Sequence, residues 1–331
     1  MSDGAYIFGI RGLTLSEDES RFFRSVNPCG FILFARNIDN PVQLSALTQS
    51  LRECLGWNAP ILIDQEGGRV QRMRAPHWRE YLPALDQIEQ SGAQAARGMY
   101  LRNALIASEL MQVGIDVNCA PLADVIWPES HPVLRNRCYG SDVDTVVEMA
   151  RASAEGMMAA GVLPVLKHIP GYGRAVVDGH KDLPTVDVAR QELQNLDFAP
   201  FRALRDLPMG MTAHIVFPCI DDAPATTSPK AMAVIRDDIG FENLIMTDDI
   251  SMEALSGTVG DRAQASIAAG CDLVLHCNGD LEEMRAVADS CGRQTDLMSE
   301  RCTRALASRK EQAPDIDIRA LEAEFQTLLT G

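Results

Sequence analysis

Three stretches of this chain combine residue types that can move protons and hold charge. The densest opens Lys167-His168-Ile169-Pro170-Gly171-Tyr172-Gly173 and continues to Asp178-Gly179-His180, just after the apolar run Val162-Leu163-Pro164-Val165-Leu166. His180, with an unperturbed histidine pKa of about 6.5, suits general acid–base work near neutral pH. Asp178, two residues away, could fix its tautomer and support the imidazolium, as a carboxylate does in hydrolase triads. The second stretch is Ile245-Met246-Thr247-Asp248-Asp249-Ile250-Ser251, in which two adjacent carboxylates close an apolar run. A carboxylate kept ionised by hydrogen bonds can act as a nucleophile or stabilise a cationic transition state. Neighbours on a strand face opposite sides, so only one of the two is expected in the site, the alternative being that Asp249 or both cap the next helix. The third is Asp64-Gln65-Glu66-Gly67-Gly68-Arg69-Val70-Gln71-Arg72. Asp64 can accept from hydroxyls, Gly67-Gly68 permits a tight turn, and Arg69 and Arg72 offer planar forks for a carboxylate or an amide oxygen. The Gly-Lys-Ser/Thr ending of a phosphate loop is missing, as are a Gly-x-Ser-x-Gly elbow and a His-Glu-x-x-His zinc motif.

These groups need a scaffold that brings distant segments together. Strand-length apolar runs lie near Tyr6–Ile10, Gly30–Phe34, Pro60–Ile63, Ile115–Asn118, Leu163–Leu166, Gly210–Ala213, Leu244–Met246 and Asp272–Leu275. Between most of them, apolar residues recur at three- and four-residue steps, predicting helices over Pro41–Leu55, Gln94–Val113, Asp142–Gly161, Arg190–Leu204, Lys230–Ile239 and Gly260–Gly270. About eight alternating units predict an α/β fold, a single-domain (β/α)8 barrel spanning 1–331, with extra helices from about Glu300. A doubly wound open sheet is the alternative, but the Gly-x-Gly-x-x-Gly turn expected after its first strand is not there. In a barrel, catalytic groups project from the C-terminal ends of strands. Asp64, Asp124, Lys167 with His168, His214, Asp248 with Asp249, and His276 all fall at or just past such ends.

The net charge of −16 argues against nucleic acid or an anionic membrane as partner, because both need a basic face. No apolar run is long enough to cross a bilayer, and the first residues lack the basic region and apolar core of a secretory signal, so a cytoplasmic location is expected. Nine cysteines without a Cys-x-x-Cys pair read as reduced, mostly buried thiols.

Taken together and in this order, the motifs Asp-Gln-Glu-Gly-Gly-Arg-Val, Lys-His-x-Pro-Gly-x-Gly followed by Asp-x-His, and Asp-Asp-x-Ser-Met resemble the glycoside hydrolase family 3 β-N-acetylglucosaminidases. The likeness is narrower still to the bacterial single-domain enzymes of peptidoglycan recycling. Asp116 to Pro121, Asn136 to Gly140 and Met211 to Ile215 support it. The resemblance implies that Asp248 is the nucleophile, His180 the general acid/base and Asp178 its partner. It implies sugar binding by Asp64, Arg72, Arg137, Lys167 and His168. It further implies a carbohydrate substrate, a GlcNAc-containing muropeptide, with no cofactor or metal, and a monomer is the expectation. Ile169, Tyr172, Gly179 and the Cys138-Tyr139 pair depart from the usual family pattern without removing a chemical group. A phosphorylase, a broader β-glucosidase or chitobiase, and a non-catalytic sugar-binding barrel are the rival readings. A metal-dependent hydrolase would need His168, His214 and His276 to gather with carboxylates.

Overall fold

The structure is a computed structural model that describes residues 3–177, 182–309 and 316–330. Its strands are β1 (Tyr6–Gly9), β2 (Gly30–Leu33), β3 (Ile61–Ile63), β4 (Val117–Asn118), β5 (Leu163–Ile169), β6 (Met209–Thr212), β7 (Leu244–Asp249) and β8 (Leu273–His276). They form a closed parallel barrel in sequence order, with Tyr6 of β1 registered on Val274 of β8. Helices flank the barrel, giving the (β/α)8 architecture that the spacing predicts. Inward-facing residues such as Ile7, Ile32, Leu62, Val117, Val165 and Met246 fill the barrel interior. The opposite faces of the strands pack under the helices, so each strand is apolar on both sides.

Several elements differ from the sequence expectation for physical reasons. The helix expected over Arg190–Leu204 is two pieces, Arg190–Asn195 and Ala199–Ala203. Pro200 has no N–H to donate back to Leu196, so the first helix stops and a new one starts with proline in its first turn. Likewise Pro229–Ala233 gives way to a wider π-turn at Val234–Asp238. The helix Glu17–Val26, closed at its start by a Ser16–Glu19 capping box, was not expected; its buried apolar residues are only Phe22 and Phe23.

After β8, the helix Leu281–Cys291 packs beside β1 and β8, and the helix Asp296–Ala307 runs under the N-terminal floor of the barrel. There the buried Asp272 carboxylate accepts from Arg236 and Arg301, each at 2.8 Å. A second floor carboxylate, Asp116, accepts from Arg52 at 2.9 Å and Arg309 at 2.8 Å. The Sγ atoms of Cys29 and Cys302 touch at 3.2 Å in the same region. Eight of the nine cysteines are buried, Cys219 being exposed, and all are free thiols. No described helix is long and apolar enough to cross a membrane.

Candidate active site

The site grows from the end of β3. Asn118, on the neighbouring β4, grips the Gln65 backbone twice, accepting from its N–H at 2.9 Å and donating to its carbonyl at 3.0 Å. The Gln65 side chain in turn accepts from the N–H groups of Arg72 and Met73, at 2.8 and 3.1 Å. Asp64 and Glu66 are thereby held on either side of a fixed residue, with Arg72 brought back toward them. The turn that follows needs glycine. Gly67 and Gly68 have φ of 99° and 56°, and a side chain at Gly67 would collide with Arg102, whose guanidinium donates to the Glu66 carbonyl at 2.7 Å.

β5 delivers the positive charge. Its register shifts between Leu166 and Ile169, and both Lys167 and His168 line the cavity at the barrel mouth. Lys167 donates to Asp64 at 2.9 Å and lies 2.7 Å from Glu66. Glu66 also takes a two-pronged bond from Arg137, at 2.9 and 2.8 Å, while Arg72 approaches Asp64 at 3.4 Å. Burial opposes the charge on Glu66, but Arg137 and Lys167 outweigh it and hold this carboxyl well below the usual carboxylate range. Burial likewise opposes the charge on Lys167, and Asp64 and Glu66 overcome it, so its pKa is raised. Three cations and two carboxylates form one network whose donors end at the cavity wall. The Arg72 Nε is buried without a partner, a donor in want of an acceptor.

His168 is oriented by the fully buried Asp124, whose carboxylate meets its Nδ1 at 2.8 Å. The other Asp124 oxygen accepts from the Tyr172 N–H at 2.7 Å, so one residue fixes both the histidine and the base of the loop that follows. The His168 Nε2 is then the ring nitrogen left for a ligand. Gly173 packs so closely on the Val125 carbonyl that a side chain there would overlap it.

β7 brings the paired carboxylates, and here the expectation that only one enters the site is corrected. The register of β7 shifts between Met246 and Asp249, and both Asp248 and Asp249 line the cavity. Their bonding separates them. Asp249 accepts from the Ser251 N–H at 3.0 Å, the Ser251 hydroxyl at 2.8 Å and the Cys277 N–H at 3.2 Å, which commits its carboxylate to the loop. Asp248 accepts only the Asp249 N–H, at 2.8 Å, among the hydrogen bonds of the described residues. Burial raises its pKa, but His168, the Asp249 N–H and Lys167 pull harder, and the carboxyl sits below its ordinary value.

His214 lies beside them. Its Nε2 is 3.0 Å from the Asp249 carbonyl, which can only accept, so the proton is on Nε2. Its Nδ1 lies 2.8 Å from the Thr226 hydroxyl, which also reaches the Ala213 carbonyl at 3.0 Å. Burial lowers its pKa and keeps the ring neutral.

The cavity encloses about 250 Å³, small for a ligand site and suited to one sugar ring. Asp64, Arg72, Arg137, Lys167, His168 and Asp248 all line it, so six of the eight residues singled out from the sequence converge. The other two, Asp178 and His180, lie outside the described residues. Val177, which immediately precedes them, also lines the cavity. Sequence reasoning quoted Glu66 but gave it no role, although it is the centre of the charge network. A glutamate between Asp64 and a double glycine was the available signal. Thr226 had none, being bound to its site through its fold neighbours. The three histidines do not gather: His168 is on Asp124, His214 on Thr226, and His276 on Glu283 at 2.9 Å. Among the described residues, no group of three histidine, cysteine or carboxylate side chains is placed to hold a metal ion.

Comparison with known proteins gives a consistent picture. Residues 11–307 match the glycosyl hydrolase family 3 N-terminal domain. A beta-hexosaminidase of Alkalilimnicola ehrlichii is 38% identical over 284 residues, 83% of this chain and 81% of that protein. One of Bordetella pertussis is 32% identical over 332 residues, covering 98% and 93%. The crystal structure of NagZ from Neisseria gonorrhoeae, in complex with N-trifluoroacetyl-D-glucosamine, superposes with a TM-score of 0.89 at 28% identity, covering 100% of this chain and 99% of that one.

Proposed function

The chain belongs to glycosyl hydrolase family 3, and from that premise we propose that it is a retaining exo-β-N-acetylglucosaminidase. The observation that carries the mechanism is the isolation of Asp248. Among the described carboxylates at the cavity, Asp64 is neutralised by Lys167 and Arg72, Asp249 is committed to Ser251 and Cys277, and Asp248 accepts one backbone N–H on one oxygen and keeps the other for a ligand.

Asp248, ionised because its pKa is depressed, attacks the anomeric carbon and forms a glycosyl ester. Retaining glycosidases ordinarily pair the nucleophile with a second, protonated carboxyl about 5 Å away. None of the described carboxylates is free for that part. This supports His180 as the acid that protonates the leaving oxygen and then deprotonates the attacking water, with Asp178 as its partner. Asp64, Arg72, Arg137, Lys167 and His168 grip the hydroxyls of the terminal sugar and so align the anomeric carbon with Asp248. In this reading the natural substrate is a cytoplasmic GlcNAc-1,6-anhydroMurNAc muropeptide, cut from its non-reducing end during peptidoglycan recycling. The whole chain acts as one catalytic domain and a monomer.

Release of 4-methylumbelliferone from its β-GlcNAc and β-glucose conjugates, with and without phosphate, tests this. The GlcNAc conjugate should be strongly preferred, with free GlcNAc as product in both buffers. Accumulation of GlcNAc-1-phosphate would replace the hydrolase by a phosphorylase, and an equal rate on glucose would remove the substrate assignment.

A further inference from the structure

At the N-terminal floor of the barrel, the end opposite the sugar cavity, two cysteine sulfurs meet. Cys29 lies directly before β2, its backbone fixed by an N–H donated to the Tyr6 carbonyl at 2.9 Å. Cys302 belongs to the helix Asp296–Ala307, on the buried face it shares with Met298 and Ala305. Its neighbour Arg301 holds that helix in place, donating to the Asp272 carboxylate at 2.8 Å and to the Glu242 carbonyl at 3.0 Å. The two Sγ atoms stand 3.2 Å apart although 273 residues separate them along the chain. A disulfide needs its sulfurs at about 2.05 Å, so a side-chain movement of about 1 Å joins them. Among the described residues, no other two cysteine sulfurs are in contact.

The two thiols are not equivalent. Cys302 keeps 7% of its surface exposed and Cys29 only 1%, so an oxidant arriving from solvent meets Cys302 first. The hydrogen bond from Cys29 favours the thiolate of Cys302 and lowers its pKa, and Arg309 adds to this against burial and Asp272. The same bond, together with burial, pushes the Cys29 thiol well up. A thiolate-forming sulfur backed by a protonated one is the arrangement of an attacking and a resolving cysteine.

We infer that Cys29 and Cys302 form a peroxide-sensitive dithiol, oxidised to a disulfide that fastens the Asp296–Ala307 helix to the barrel floor. The oxidant is a hydroperoxide, hydrogen peroxide being the simplest. The Cys302 thiolate attacks one peroxide oxygen, the O–O bond breaks, and the hydroxide that leaves takes up a proton as water. Cys302 is then a sulfenic acid. The Cys29 sulfur attacks it, the S–O bond breaks, and the oxygen departs as a second water carrying the Cys29 proton. Two thiols have lost two electrons, and one peroxide has been reduced to two waters. The cross-link constrains the unfolded chain over most of its length, which stabilises the oxidised form. The inference does not depend on the glycosidase reading.

The test uses the full chain carrying Cys219→Ser, which removes the one exposed thiol. After treatment with hydrogen peroxide the mass should fall by about 2 Da, and an unreduced peptide map should join Cys29 to Cys302. Dithiothreitol should reverse both changes, and the oxidised form should unfold at a higher temperature than the reduced one. With Cys29→Ser added, dimedone should trap a sulfenic acid on Cys302; with Cys302→Ser instead, Cys29 should stay unlabelled. A map that joins other cysteines, or that leaves Cys29 reduced beside an oxidised Cys302, overturns the inference, and it does not require the serine variants of the pair to fold. A lower unfolding temperature on oxidation overturns the fastening of the helix. Equal dimedone labelling of the two single thiols overturns their division into attacking and resolving cysteine.

Discussion

Asp248 and Asp249 are chemically the same residue type, and their surroundings divide the labour between them. Three donors occupy Asp249, whereas Asp248 is left facing the cavity with its pKa depressed. Asp248→Ala should therefore cut turnover by on the order of 10⁴-fold while the chain still folds, as a native circular dichroism spectrum would check. More than a few per cent of residual activity would exclude the nucleophile role. For His180→Ala, cleavage of glycosides with good leaving groups should survive better than that of poor ones, because only the latter need a proton early. An equal loss with both kinds argues against the acid role. Glu66 shows what a sequence withholds at this scale. Its partner Arg137 is 71 residues away, and Lys167 is farther still from Asp64, at 103. Residue types that can do chemistry are legible along the chain, whereas which carboxylate is neutralised is decided only when the fold closes.

At the scale of elements, the strands of a parallel barrel are legible because each is buried on both faces and reads as a short continuous apolar run. Their far ends are less so. β5 and β7 run on to Ile169 and Asp249, beyond the expected ends at Leu166 and Met246, because polar residues at the mouth remain in the ladder after hydrophobicity stops. The Glu17–Val26 helix escaped notice for the opposite reason, since its solvent-facing charges outnumber its two buried phenylalanines. Under the floor, Asp272 ties the Asp296–Ala307 helix to the barrel through Arg301, and it also holds Arg236 of the Val234–Asp238 turn. Asp272→Asn leaves those guanidiniums without a counter-charge, and should cost on the order of 3 kcal/mol in urea unfolding. A loss within experimental error of zero would mean that the helix is held by its apolar contacts alone.

For the whole molecule, pH dependence follows from the direction of each shift. His214 has a lowered pKa in the folded state, so between that value and about 6.5 the unfolded chain binds more protons and stability falls as pH falls. Glu66 and Asp248, also depressed, add their loss only once the pH drops below the range where unfolded carboxylates titrate, about 4. Thermal unfolding should thus weaken in two acid stages, and His214→Asn should remove the earlier one. A curve flat from pH 7 to 5 in the wild type would contradict the neutral, buried His214. The arginine–carboxylate clamps lie at one end of the barrel and the sugar cavity at the other. Changes made at such separated places add independently. The floor is therefore a reserve for evolution or engineering: stability raised there can offset a destabilising but useful substitution at the mouth, and the specificity of the enzyme can drift while its fold stays secure.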